Sequence, residues 1–113
     1  MSISTHVLDT AFGAPAVGVA VTLEHVVGRD RAVVVSRGVT DAEGRVTALV
    51  PVGGIVEAGA YRLSFDVASY FAVTQRASFY NEIAVTFSVG HEARHYHVPL
   101  LLSPYGYSTY RGS

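Results

Sequence analysis

Apolar residues recur at every second position through most of this chain, the period of a strand that buries one face. Ile3, Thr5 and Val7 fall on one side and Ser4, His6 and Leu8 on the other. The same alternation sets Val19, Val21 and Leu23 apart from their neighbours, then Tyr61, Leu63 and Phe65, then Ile83, Val85, Phe87 and Val89. A-V-V-V at 32–35 is a further β-branched strand. Turn signals separate these segments: G-A-P at 13–15, V-G-R-D at 27–30, D-A-E-G at 41–44, G-G at 53–54 and S-P-Y-G at 103–106. Only Asp66–Thr74 reads as a helix. Seven or eight short strands with one short helix predict an all-β sandwich of two sheets.

The closing segment, H-Y-H-V-P-L-L-L-S-P-Y-G-Y-S-T-Y-R-G-S, carries unusual chemistry for a tail. A strand over His95–Ser103 places Tyr96, Val98, Leu100 and Leu102 on one face, which reads as core. The other face holds His95, His97, Pro99 and Leu101, and imidazoles are not core residues unless each finds a partner. After the S-P-Y-G turn, a last strand brings Ser108 and Tyr110 to the same face as His97. Pro99 has no N–H for a ladder, so a bulge or an unpaired position is expected there. Leu8 and Leu101 point outward beside these polar groups, an apolar patch of the kind that marks an interface.

The 113 residues fit one domain, 1–113, and half of them are apolar, enough for a core. A net charge of −1 with both signs mixed gives no electrostatic footprint for nucleic acid or membrane. Cysteine is absent, which excludes disulfides, thiolate metal sites and a thiol nucleophile. M-S-I-S-T-H-V-L-D-T has neither a basic nor an apolar leader region, and no apolar run reaches membrane-spanning length. A cytoplasmic protein is the expectation.

S-T-H-V-L-D-T-A-F-G-A-P-A-V-G-V-A-V at the start, T-D-A-E-G-R-V and F-D-V-A-S-Y-F in the middle, and the closing segment ending in Y-R-G-S together resemble the transthyretin-related 5-hydroxyisourate hydrolases. The resemblance covers nearly the whole chain. It implies a transthyretin-like sandwich, assembled as a homotetramer (a dimer of dimers) with active sites in a central channel. It implies ring opening of 5-hydroxyisourate to 2-oxo-4-hydroxy-4-carboxy-5-ureidoimidazoline in urate breakdown, with no cofactor. By motif, the catalytic residues are His6, Arg45, His97 and Tyr110, and Ser108, Arg111, Gly112 and Ser113 bind substrate. At the positions of His6 and Arg45 transthyretin has a lysine and a glutamate, so the alternative, a carrier of small aromatic ligands, fits this chain less well.

The reaction needs a base for water, a cation or donor for the developing oxyanion, and groups that fix a flat polar ring. Histidine titrates near ~6.5 and can take and return a proton at neutral pH. His6 and His97 are expected to share that work. A guanidinium such as that of Arg45 stays charged and offers a planar fork to a carbonyl. The Ser113 carboxylate could orient an imidazole or pair with an arginine. The spacing of His95 and His97 also suits a metal pair, but without cysteines or a carboxylate cluster no functional metal is expected. His95 is read as a neighbour of the site, and His25 and His91 carry no signal. Tyr105 and Tyr107 read as packing or interface residues.

Overall fold

The computed structural model describes residues 2–50, 56–92 and 94–112. The G-G turn at 53–54 and Ser113 lie outside them. The strands are β1 (Ser2–Asp9), β2 (Ala14–Pro15), β3 (Ala20–Gly28), β4 (Arg31–Val39), β5 (Arg45–Val46), β6 (Gly59–Phe65), β7 (Ile83–Val89), β8 (His95–Ser103) and β9 (Gly106–Thr109). One sheet has the order β2-β1-β8-β9, with β5 also on β1; the other has the order β4-β3-β6-β7. The expected two-sheet sandwich is present, with nine strands among the described residues in place of seven or eight. The additional ones, β2 and β5, have two residues each, too few for an alternation to show.

The helix, α1 (Val67–Val73), fills the expected span between its caps. The Asp66 carboxylate accepts the Ser69 N–H at 3.1 Å, satisfying one of the free donors of the first turn. Among the described residues no helix is long and apolar enough to cross a membrane.

Each alternating segment buries the face its pattern marks. Ile3 and Val7 of β1, Leu100 and Leu102 of β8, Val21 and Leu23 of β3, and Leu63 and Phe65 of β6 join one core. Burying a side chain of this size contributes about 1.5–3 kcal/mol. Val85 and Phe87 are only partly buried, because β7 ends its sheet and flanks a hollow.

Among the described residues every strand pairing is antiparallel except β1 with β8, whose register runs without a break from Ser2 opposite His95 to Asp9 opposite Leu102. The far end of that pair is locked by Asp9, which is fully buried. Its carboxylate takes the Tyr70 hydroxyl at 2.7 Å, the backbone N–H groups of Ala11 and Phe12 at 3.1 Å, and the Arg76 guanidinium. Arg76 lies over the Phe12 ring at 3.8 Å. Burial pushes the Asp9 carboxyl up, but the hydrogen bonds from Arg76, Tyr70 and Phe12 outweigh it and hold the pKa below the usual range. Burial, followed by the hydrogen bond and charge of the same carboxylate, pushes the Tyr70 phenol up to about 12.

Arg76→Ala leaves a buried carboxylate without its cation and should cost about 3 kcal/mol in urea unfolding. Because the folded carboxyl is depressed, its contribution is complete above the unfolded value near ~3.9 and is lost as pH falls below it. The difference between wild type and variant should therefore shrink in acid.

Candidate active site

Because β1 and β8 run parallel in register, side chains of equal rank leave the sheet on the same side. Ser2 stands opposite His95, Ser4 opposite His97 and His6 opposite Pro99, all on the face turned away from the core. On the other side of β1, β5 sets Arg45 opposite His6.

What holds Arg45 there is the turn before it. The Asp41 carboxylate accepts the backbone N–H groups of Glu43 at 2.9 Å and Arg45 at 3.0 Å, and these bonds lower its pKa. Gly44 closes the turn on the Asp41 carbonyl at 2.9 Å and accepts the Val7 N–H at 2.7 Å. Its φ is +77°, and a Cβ there would stand 2.4 Å from the Val7 carbonyl oxygen. Only glycine allows both the backbone angle and the approach to β1. The ion pair of Arg45 with Glu43, 3.7 Å long and exposed, adds little.

His97 is half-buried, with Nδ1 2.7 Å from the Ser4 hydroxyl oxygen. The same oxygen lies 3.0 Å from Nε2 of His95, whose Nδ1 contacts the Ser2 hydroxyl. Burial first, then the charges of His95, Arg45 and His6, lower the His97 pKa below its ordinary 6.5. The ring is therefore neutral at pH 7, the form able to accept a proton. His6 donates from Nε2 to the Glu43 carbonyl at 2.8 Å, which leaves Nδ1 as its nitrogen for other work. Arg45, His95 and His97, with Ser4, Thr5 and Thr47, bound a polar hollow of about 240 Å³.

The tail approaches His97 from the other side. β9 pairs with β8 from Ser103–Gly106 to Leu100–Thr109, placing Ser108 opposite Leu101 on the outer face. Beyond it, Gly112 forms an isolated bridge with His97 and donates its N–H to the His97 carbonyl at 2.8 Å. A Cβ on Gly112 would stand 2.5 Å from Cδ2 of the His97 ring, so this close approach also excludes a side chain.

Pro99 lies between these two pairings. Its carbonyl accepts the Thr109 hydroxyl at 2.7 Å, so the position of its missing N–H faces the gap in the ladder. The expected unpaired position is found toward β9, with no bulge on the side of β1. Leu8 and Leu101, opposite each other on the outer face, are half-buried rather than exposed. The Arg111 guanidinium lies 5.0 Å from the Tyr96 ring. Tyr110 and Arg111 line a second hollow of about 250 Å³ with His97, Val85 and Phe87, at the open edge between the sheets.

His97 thus stands between two hollows. Arg45 and His95 share the first, and Tyr110 and Arg111 the second. His6 faces Arg45 across the β1–β5 pairing, Gly112 touches His97, and Ser108 borders neither hollow. Ser4 went unmarked in the sequence, though it lies on the same side of its strand as His6. Only the pairing with β8 shows what its hydroxyl serves.

Gly44→Ala should lower stability by about 2 kcal/mol or more in denaturant unfolding, since it forces a left-handed angle as well as a backbone clash. An unchanged midpoint would mean that the turn is not fixed to β1.

A family model described as HIUase/Transthyretin family matches residues 3–112. The 5-hydroxyisourate hydrolase of Deinococcus radiodurans is 45% identical, over 98% of this chain and 95% of that protein. A Klebsiella pneumoniae 5-hydroxyisourate hydrolase structure superposes with a TM-score of 0.82 at 34% identity, over 99% of this chain and 93% of the other. Sea bream transthyretin in complex with thyroxine superposes with a TM-score of 0.88 at 31% identity, over 97% and 93%.

Proposed function

The chain belongs to the HIUase/transthyretin family, and from that membership together with the site we infer that it hydrolyses 5-hydroxyisourate. Backbone shape is shared with a thyroxine-binding protein, so the choice between enzyme and carrier rests on side chains. The observation that carries the hydrolase reading is a polar hollow joining an arginine to a histidine that is neutral at pH 7. A cavity lined this way suits a polar heterocycle undergoing acyl chemistry.

In this reading Nε2 of His97 takes a proton from water as the water oxygen bonds to the ring carbonyl carbon. Arg45 stabilises the oxyanion that forms on the carbonyl oxygen. Collapse of the tetrahedral species breaks the C–N bond, and the departing nitrogen receives the proton that Nε2 of His97 took from water. His6 presents Nδ1 on the same face to align the ring. By the family motif Tyr110 is assigned to catalysis and Ser108, Arg111, Gly112 and Ser113 to substrate binding; Gly112 also seats the tail on His97. The single transthyretin-like domain works as a homotetramer, a dimer of dimers that covers the outer face holding Leu8 and Leu101. The reaction belongs to urate breakdown.

Purified protein should speed the ultraviolet decay of freshly generated 5-hydroxyisourate above the buffer rate; no acceleration would remove the assignment. His97→Asn, close in volume, should cut kcat by roughly 100-fold or more, as for the loss of a general base. The acid limb of kcat/KM should fall below pH ~6.5, because the base form of His97 persists to lower pH than in a free histidine. A limb at or above that value would point to a different base.

A further inference from the structure

His97 has a difficulty as a base. Burial and the charges of His95, Arg45 and His6 make it neutral, and the same surroundings oppose the imidazolium it would become on accepting a proton. The register of β1 and β8 supplies an answer. Ser2, His95, Ser4 and His97 form an unbroken hydrogen-bonded row: Ser2 Oγ to His95 Nδ1, His95 Nε2 to Ser4 Oγ at 3.0 Å, and Ser4 Oγ to His97 Nδ1 at 2.7 Å. The two rings are nearly parallel, 15° apart, with centroids separated by 6.1 Å. Ser4 is 5% exposed and borders the polar hollow, whereas His95, the next ring along the row, is exposed.

We propose that Ser2, His95 and Ser4 are a proton relay that lets His97 act as base and then acid without carrying a net charge. This rests on the hydrolase reading above. A hydroxyl has one hydrogen, so Ser4 donates to one ring and accepts from the other, and this allows two arrangements. In the first, His97 Nδ1–H donates to Ser4, the Ser4 O–H to His95 Nε2, and His95 Nδ1–H to Ser2. His97 Nε2 is then bare and takes a proton.

In the second arrangement every donor in the row is reversed, and His97 carries its hydrogen on Nε2. When water gives a proton to Nε2, the Nδ1 proton passes to Ser4. The Ser4 proton passes to His95 Nε2, the His95 Nδ1 proton to Ser2, and the Ser2 proton to solvent. Each link is neutral before and after. The new Nε2–H then goes to the departing nitrogen, a solvent proton enters at Ser2, and the row returns to its first arrangement. Ser4 and His95 are positioning residues that act through His97.

The test compares Ser4→Ala, Ser4→Thr, His95→Phe and the Ser4→Ala/His95→Phe double variant, each checked for wild-type thermal unfolding. Ser4→Ala and His95→Phe should each lower kcat about 10- to 100-fold with KM within twofold, while Ser4→Thr, which keeps the hydroxyl, stays near wild type. The double variant should be no slower than Ser4→Ala, because both changes cut one row. The solvent isotope inventory should be curved in wild type, from several protons in flight, and straight in Ser4→Ala.

Full activity in either single variant, or losses that multiply, would overturn the relay; loss in Ser4→Ala alone would leave Ser4 merely orienting the ring. A readout independent of turnover separates this from the activity itself. Wild type and Ser4→Thr should show a slowly exchanging imidazole N–H proton signal near freezing that Ser4→Ala lacks. Its absence from wild type would overturn the row even in an active enzyme, and its presence in an inactive protein would fault only the hydrolase assignment.

Discussion

The parallel pairing of β1 with β8 is the constraint on which the rest of this molecule depends. In an antiparallel pair, order along one strand is reversed on the other. Here it is preserved, so a serine-serine-histidine series on the first strand meets a histidine-histidine-proline series on the eighth rung by rung. The inner faces of the same two strands supply Ile3, Val7, Leu100 and Leu102 to the core. A slip of one residue would turn both sets over, exposing the leucines and burying imidazoles. The hydrophobic effect therefore fixes the register, and the register fixes the polar face.

Two backbone approaches complete that face, and each depends on a missing side chain. Gly44 lets the Asp41 turn lie against Val7, which brings Arg45 beside His6. Gly112 lets the tail lie against the His97 ring, which brings Tyr110 and Arg111 to the same histidine. Both are contacts at distances no Cβ could tolerate. Arg45 and the tail are thus placed by backbone hydrogen bonds to β1 and β8, with the exposed ion pair to Glu43 a minor contributor.

Charge is handled in opposite ways at the two ends of the β1–β8 pair. At Asp9 a buried carboxylate is kept ionised by Arg76, Tyr70 and backbone donors, and the result is a rigid anchor tying the sheet to the end of α1. At His97 burial and like charges act together to keep the ring neutral, and among the described residues its side-chain hydrogen bond is with the Ser4 hydroxyl. A group held neutral between proton donors and acceptors can change roles at small energetic cost, whereas one locked in an ion pair cannot.

The period-two alternation, read alone, determined which face of each long strand is buried, the two-sheet class and the single helix, because burial of apolar area is a local signal repeated every second residue. It also set His97 and Ser108 on one side and gave Pro99 a gap in its ladder. Strands of two residues carry no period, so β2 and β5 stayed hidden, and with them the position of Arg45. Pairing of residues 93 apart, as in Ser4 with His97, has no local signature whatever. Tertiary structure alone decided that Ser4 and His95 belong beside His97, since a hydroxyl between two imidazoles exists only once the first and eighth strands lie side by side.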